Sequence, residues 1–278
     1  MTPRIGLSSG SSLRDFDRLA DRVRQHRQSS NKPLIVVEGP DDQLTLAPVL
    51  PGIDIFPADG KRNAIDACVR LVNWNLARFA CVVDEDLYDH AVPRELLARY
   101  YPYLEADLEA MLISIGVLEE LLVHIGSVAK LQACGGAGGL IETVCVNVAA
   151  VTSLRQQNAI QGWGLNFDDV DLASKIDKRS LELQLNSYCM ALLRASSSQT
   201  SATQALLLEA AGRTPTGPYR FRGKDVVAIV GVALRAKAGS LPHTATAEKL
   251  LCANLRSSAG LRLSQSEWLR GLCERLDT

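Results

Sequence analysis

The chain has 278 residues, 47% hydrophobic and 22% charged, with a formal net charge of −1. That length suits one large domain or two ordinary ones, and the apolar content suits a normal soluble core. The seven cysteines form no C-x-x-C pair, no N-terminal stretch resembles a signal peptide, and no apolar run approaches the ~20 residues of a membrane span. A disulfide scaffold and a membrane protein are therefore excluded, and a cytoplasmic protein with reduced, buried thiols is expected.

The near-zero net charge hides an uneven spread. Residues 1–32 carry seven Lys/Arg against three acids (+4), residues 33–116 six against fourteen (−8), and the remainder seventeen against fourteen (+3). In chain order, "RDFDRLADRVRQHRQ" (14–28) spaces Phe16, Leu19, Ala20 and Val23 as one apolar helix face among arginines. It reads as a packing helix with a solvated basic face, or as a nucleic-acid contact. "LIVV" (34–37) is a short buried-type strand, followed by a short helix in "DQLTLAPVL" that prolines limit. "IDIF" (53–56) is a second strand, and "RNAIDACVRLVNWNL" a helix with Ile65, Cys68, Val69, Val72 and Leu76 on one side. "RFACVV" (78–83) is a third strand, "YYPYL" a fourth, and "ADLEAMLISI" begins another helix. Strands alternating with helices imply βαβ units and a parallel sheet.

From about residue 117 the texture is helical: "VLEELLVHIGSVAKL", "IETVCVNVAAVTSLRQQ", "KRSLELQLNSYCMALLRA", "ATQALLLEAAG", "KDVVAIVGVALRAK", "TAEKLLCANLR" and "QSEWLRGLCERL". "CGGAGG" (134–139) lacks the Gly-Lys-Ser/Thr of a P-loop and reads as a flexible junction between helices. The expected organisation is a leader and amphipathic helix over 1–32, an α/β domain over 33–116 and an α-helical domain over 117–278.

Two strands end in carboxylates, Glu38 after "LIVV" and Asp84 after "ACVV". Open α/β sheets place ligands at the carboxyl ends of their strands. Neighbouring strands lie roughly 4.8 Å apart, so these acids converge if their strands are adjacent. Asp84 and Asp86 are two apart and point to one side of an extended stretch. Carboxylates gathered this way repel unless a cation binds, and oxygen ligands suit Mg²⁺ or Mn²⁺. The competing explanation is that such acids cap the following helices, as Asp41 or Asp42 would before "QLTLAPVL".

The order E-G after the first strand and D-x-D after the third resembles a Toprim domain, the unit shared by primases, topoisomerases, small RNA-processing nucleases and the OLD family of nucleases. "VEGPDD" resembles the OLD-like E-G-x-x-D form, "FPADGKRNAID" its Gly-Lys turn after the second strand, and "YLEADLEAMLI" its later acidic motif. "GWGLNFDDVDLASKID" and "FRGKDVVAIVGVALRAK" resemble segments of a bacterial family of stand-alone proteins that includes AriB, the Toprim effector of the PARIS anti-phage system. Where those relatives often carry Gly-His-Asp, this chain has Gly223-Lys224-Asp225. Lys224 then approaches a phosphate or is a solvated residue at a helix start, and Asp225 suits a helix's first turn.

The resemblance implies a Rossmann-like Toprim fold, a mostly parallel sheet flanked by helices, followed by a mainly α-helical C-terminal region. It implies a phosphodiester-cleaving nuclease using one or two Mg²⁺ or Mn²⁺ ions. Asp84 and Asp86 would be direct ligands, and Glu38 a ligand or general acid/base. Asp42, Asp107 and Glu109 would complete or tune a second ion, although Glu109 in a first helical turn is favourable without metal. Lys61 would neutralise charge in the transition state, or be a plain turn lysine. The implied role is an anti-phage effector cutting RNA, tRNA above all, in preference to DNA, under control of a separate ABC-type ATPase. A homodimer stays open. The alternatives are an OLD-type DNA nuclease and a non-catalytic binding or regulatory subunit that keeps the fold. A topoisomerase or primase ranks last, because the chain lacks length for their extra domains.

Overall fold

The computed structural model describes residues 18–85, 92–196, 200–216 and 221–277. Asp86, Phe16 and part of the serine-rich stretch at 195–204 lie outside them. By internal contacts the chain forms two compact units. The first comprises residues up to Val83, Ala91–Pro102 and Gly271–Thr278; the second comprises Asp84–His90 and Tyr103–Arg270.

The first unit is built on a three-stranded parallel sheet. Its elements are α1 (Leu19–His26), β1 (Leu34–Val37), α2 (Pro40–Leu46), β2 (Asp54–Pro57), α3 (Lys61–Asn73) and β3 (Phe79–Val82). The strand order is β2-β1-β3, with Leu34 opposite Asp54 and Phe79, and Val37 opposite Pro57 and Val82. β1 is central and all four of its side chains are buried, which is why it reads as an unbroken apolar run rather than an alternating one. β2 is an edge strand and can therefore end on Pro57, a residue without an N–H. Ala20 and Val23 of α1 and Ala64, Ala67, Cys68 and Leu71 of α3 close the core over one sheet face. Burial and the neighbouring Cys81 push the Cys68 thiol up, which suits a reduced core residue.

The expected fourth strand is a single bridge. Cys81 and Tyr100 pair in parallel, Cys81 N–H donates to the Arg99 carbonyl, and Tyr101 N–H donates to that of Cys81. Pro102 follows and has no N–H to extend the ladder. The last part of the final helix also belongs to this unit: Arg275 Nη1 donates to the Tyr100 carbonyl at 2.6 Å, and its guanidinium lies 5.5 Å from the Tyr101 ring centre.

The second unit is helical. It contains α4 (Leu108–Ser114), α5 (Val117–Ile125), α6 (Val128–Ala133), α7 (Gly136–Gln161), α8 (Leu185–Ala195), α9 (Gln204–Ala211), α10 (Gly223–Ala236), α11 (Glu248–Ser257), α12 (Gly260–Ser264) and the start of α13 (Glu267–Asp277). α10 is buried from Asp225 to Leu234, and it packs against α4, α7 and α11. Such all-round burial marks it as the central helix.

Three sequence expectations change here. "CGGAGG" is a junction only at Gly135, whose left-handed backbone (φ 80°) caps α7; the glycines that follow open that helix. α7 has 26 residues and is long and apolar enough to cross a membrane, where no such run was expected. Within this unit its Leu140, Val144, Val148, Val151 and Leu154 are buried, and it packs against α5, α6, α9 and α10. Finally, residues 178–184 are not helical. The Asp177 carboxylate accepts the Arg179 and Ser180 N–H groups, Leu181 takes φ 67°, and Ile176 bridges Leu183 in antiparallel fashion. A short acidic side chain satisfying nearby N–H groups competes with helix formation, and α8 begins only at Leu185.

Candidate functional site

In the first unit, Glu38, Asp42 and Lys61 gather at the carboxyl end of the sheet. Glu38 follows β1 directly, and its carbonyl accepts the Gly60 N–H at 2.8 Å. That contact draws the β2–α3 turn up to β1. The turn needs left-handed backbone at both Asp59 (φ 58°) and Gly60 (φ 107°), which explains the glycine. Lys61 follows as the first residue of α3. Asp42 is buried and its carboxylate, at the third position of α2, reaches back to accept the N-cap Gly39 N–H at 2.9 Å. The helix-cap explanation for Asp42 is thus realised in the geometry.

In the second unit, Asp84, Asp107 and Lys224 line one cleft of about 290 Å³. Two of these acids meet at the start of α4. Leu108 N–H donates to Asp84 Oδ1 at 3.3 Å, while Asp107 is the N-cap and accepts the Ala110 N–H at 2.7 Å. Asp107 also receives the Gly223 N–H, 3.1 Å from each of its oxygens. One buried carboxylate therefore joins the N-termini of α4 and α10, where helix dipoles favour negative charge. Glu109 is buried and pairs with Arg256 Nη1 at 2.5 Å.

Several cleft residues were not singled out in the sequence. Arg155 of α7 donates through Nε and Nη2 to the two oxygens of Asp225, at 2.8 and 2.9 Å, and stacks 4.4 Å from the centre of the Phe167 ring. Arg222, just before α10, bonds Asp168 at 3.2 Å and lies 4.0 Å from Asp107. Arg155, Phe167, Asp168, Arg222 and Lys224 also line an adjoining lobe of about 670 Å³. Asp225 does sit in the first turn of α10, but its carboxylate serves Arg155. Arginines inside "SLRQQ" and before "GKD" carry no local signal of this pairing, because their partners lie 70 and 54 residues away.

Asp42, Asp84, Asp107 and Glu109 all accept protein donors, although a carboxylate has about four acceptor sites. Among the described residues no group of three or more His, Cys, Asp or Glu side chains is arranged to hold a metal ion. Asp86 of the D-x-D pair lies outside those residues.

Burial, then the charge of Glu109, raises the Asp107 carboxyl to about 7, against the opposing pull of the Ala110 and Gly223 N–H groups and Arg222. A raised folded-state value means that the folded chain holds this proton more tightly than the unfolded chain. The stabilisation is complete below about pH 4 and is lost as pH rises through about 7. Comparing urea unfolding at about pH 5 and pH 8 should therefore show wild type losing stability that Asp107→Asn does not lose. Equal pH dependence in the two proteins would refute the assignment.

No protein-family model matches the chain, and no curated protein matches it.

Proposed function

We propose that the chain is a metal-dependent phosphodiesterase, a nuclease of the OLD-like Toprim kind. The observation that carries this reading is the cleft of the second unit, where Asp84 shares one wall system with Arg222 and Lys224. A carboxylate that can hold a cation, beside cations that can hold a phosphate, is the equipment phosphoryl chemistry needs. The sequence order adds support, with an acid directly after the central strand β1 and D-x-D beginning two residues after β3.

As the resemblance of the sequence implies, Asp84 and Asp86 would ligate one or two Mg²⁺ or Mn²⁺ ions, which would activate water and stabilise the leaving oxygen, and Glu38 would be a ligand or the general acid/base. Asp42, Asp107 and Glu109 serve the fold first and would tune the site rather than build it. Lys61, at the N-terminus of α3, and Lys224, at that of α10, would each be a candidate for a phosphate oxygen. RNA, tRNA in particular, is the favoured substrate. Anti-phage defence under a separate ABC-type ATPase is the favoured setting, in the cytoplasm.

The test is cleavage of labelled cellular RNA and of duplex DNA by the full chain with Mg²⁺ or Mn²⁺. Glu38→Ala and Asp84→Asn should each cut at least ~100-fold more slowly. Mn²⁺ binding is measured in parallel. Binding of the metal without cleavage points to an absent activating partner. Neither binding nor cleavage sinks the nuclease and leaves a non-catalytic binding subunit.

A further inference from the structure

A second charged depression lies wholly in the first unit, between α1 and α3, and no step of the cleavage chemistry uses it. It encloses about 420 Å³. Arg18 and Arg22, four residues apart at the start of α1, face Arg70 of α3 across it, with the Asn63 amide beside them. Among the described residues its lining holds three arginines and one acid, Asp66. The described residues of this lining therefore carry two more positive than negative charges, within a chain whose net charge is −1.

The seam between the same two helices also carries an aromatic. Trp74 ends α3 one turn beyond Arg70 and is 36% exposed. The guanidinium of Arg24, from α1, sits 5.0 Å from the centre of its ring. Guanidinium forks match phosphate oxygens in pairs. An exposed indole stacks on a base, and only an unpaired base offers its face. Arginines followed along one seam by an aromatic fit a single strand better than a duplex, which would present phosphates and no free base. They fit it better than a membrane surface too, since the apolar residues of this lining are packed into the core, Ala20, Ala58 and Ala67 buried and Leu19 partly buried, and none stands out to enter a bilayer.

We infer that the α1–α3 seam is a docking groove for single-stranded nucleic acid, with Arg18, Arg22 and Arg70 on the phosphodiester backbone and Trp74 stacked on a base. This deepens the nuclease reading by giving its substrate a landing site, yet it is testable without any cleavage. The groove's chemistry is shared by RNA and DNA single strands, so both are tested.

The experiment uses the full chain in EDTA with fluorescein-labelled single strands of about 20 nucleotides, RNA and DNA, and the matching duplex. Anisotropy is followed from about 50 to 200 mM salt. Arg18→Gln/Arg22→Gln/Arg70→Gln should weaken single-strand binding at least ~10-fold. It should also make the slope of log K against log salt shallower by about 2, the value for three lost contacts on a single strand. Trp74→Ala should weaken binding ~10-fold with the slope unchanged, and Trp74→Phe should restore most of it. If the triple variant does not fold, Arg18→Gln/Arg22→Gln, confined to the exposed side of α1, should show about two-thirds of that slope change. An equal charge loss on the second unit, Lys178→Gln/Arg179→Gln/Lys249→Gln, serves as the control.

Wild type that fails to bind a single strand in EDTA, or binds the duplex more tightly, overturns the groove. So does an effect of the control set equal to that of the groove variants. Metal-dependent cleavage that survives the groove variants unchanged removes the groove and leaves the nuclease standing. Groove-dependent binding with no cleavage under any metal does the reverse.

Discussion

Gly223→Ala is expected to cost the second unit about 3 kcal/mol, the upper part of the range for overpacking a closed contact. A β-carbon at this position would lie 2.3 Å from the Ala110 nitrogen, 2.5 Å from the Glu109 β-carbon and 2.6 Å from the Glu109 carbonyl carbon. Two of the three are backbone atoms in the first turn of α4, so no side-chain rotation relieves the clash. The same shift would pull the Gly223 N–H away from Asp107, whose oxygens it holds at 3.1 Å. Burial of that carboxylate would then be less well compensated. Gly260→Ala is the control. It opens α12 with nothing within 4 Å of the added carbon, and alanine there should be neutral or stabilise slightly. Urea unfolding of both variants measures the contrast, and a Gly223→Ala loss below ~1 kcal/mol would mean that the α4–α10 contact is looser than described.

That glycine marks the limit of what the sequence discloses. β1 is readable to the residue, because four β-branched or leucine residues bounded by Pro33 and Glu38 leave little choice of strand ends. The amphipathic α3 and the short, proline-limited α2 are readable for the same local reasons. The helix expected over 178–184 fails because Asp177 diverts the backbone, a competition that hydrophobic spacing does not register. The fourth strand fails because Tyr100 and Tyr101 have strand propensity, yet Pro102 removes the next donor.

At the candidate site, acids at strand ends were visible as a pattern, but their partners were not. Asp107 meets Gly223 across 116 positions and Glu109 meets Arg256 across 147. An acid in a first helical turn looks the same in sequence whether it faces solvent, a metal or a buried arginine. The motif "DLEAM" therefore pointed to Asp107 and Glu109 without saying that one would tie two helix starts together and the other would enter an ion pair.

Asp225→Ala is expected to be the other severe substitution, at about 3–5 kcal/mol. The Arg155 side chain is 12% exposed and that of Asp225 8%, so removing the carboxylate leaves a guanidinium out of water with its partner gone. Arg155→Met should cost a similar amount, because it strands the Asp225 charge and forfeits the stacking on Phe167. The pair together should not. Arg155→Met/Asp225→Leu replaces two buried charges by apolar groups of similar bulk, and most of the stability should return. Additive losses in the double variant would show that the two residues act separately, contrary to the geometry.

The same cycle separates folding from binding. Asp225 and Arg155 both line the larger lobe of the cleft, yet their charges cancel, so the double variant leaves the net charge of that lobe unchanged. If Arg155 serves only to position the start of α10, a stable double variant should handle substrate as wild type does. If its guanidinium also meets a phosphate, the double variant should regain its fold while KM for the nucleic acid stays raised ~10-fold or more, the size expected for losing one charge-assisted contact.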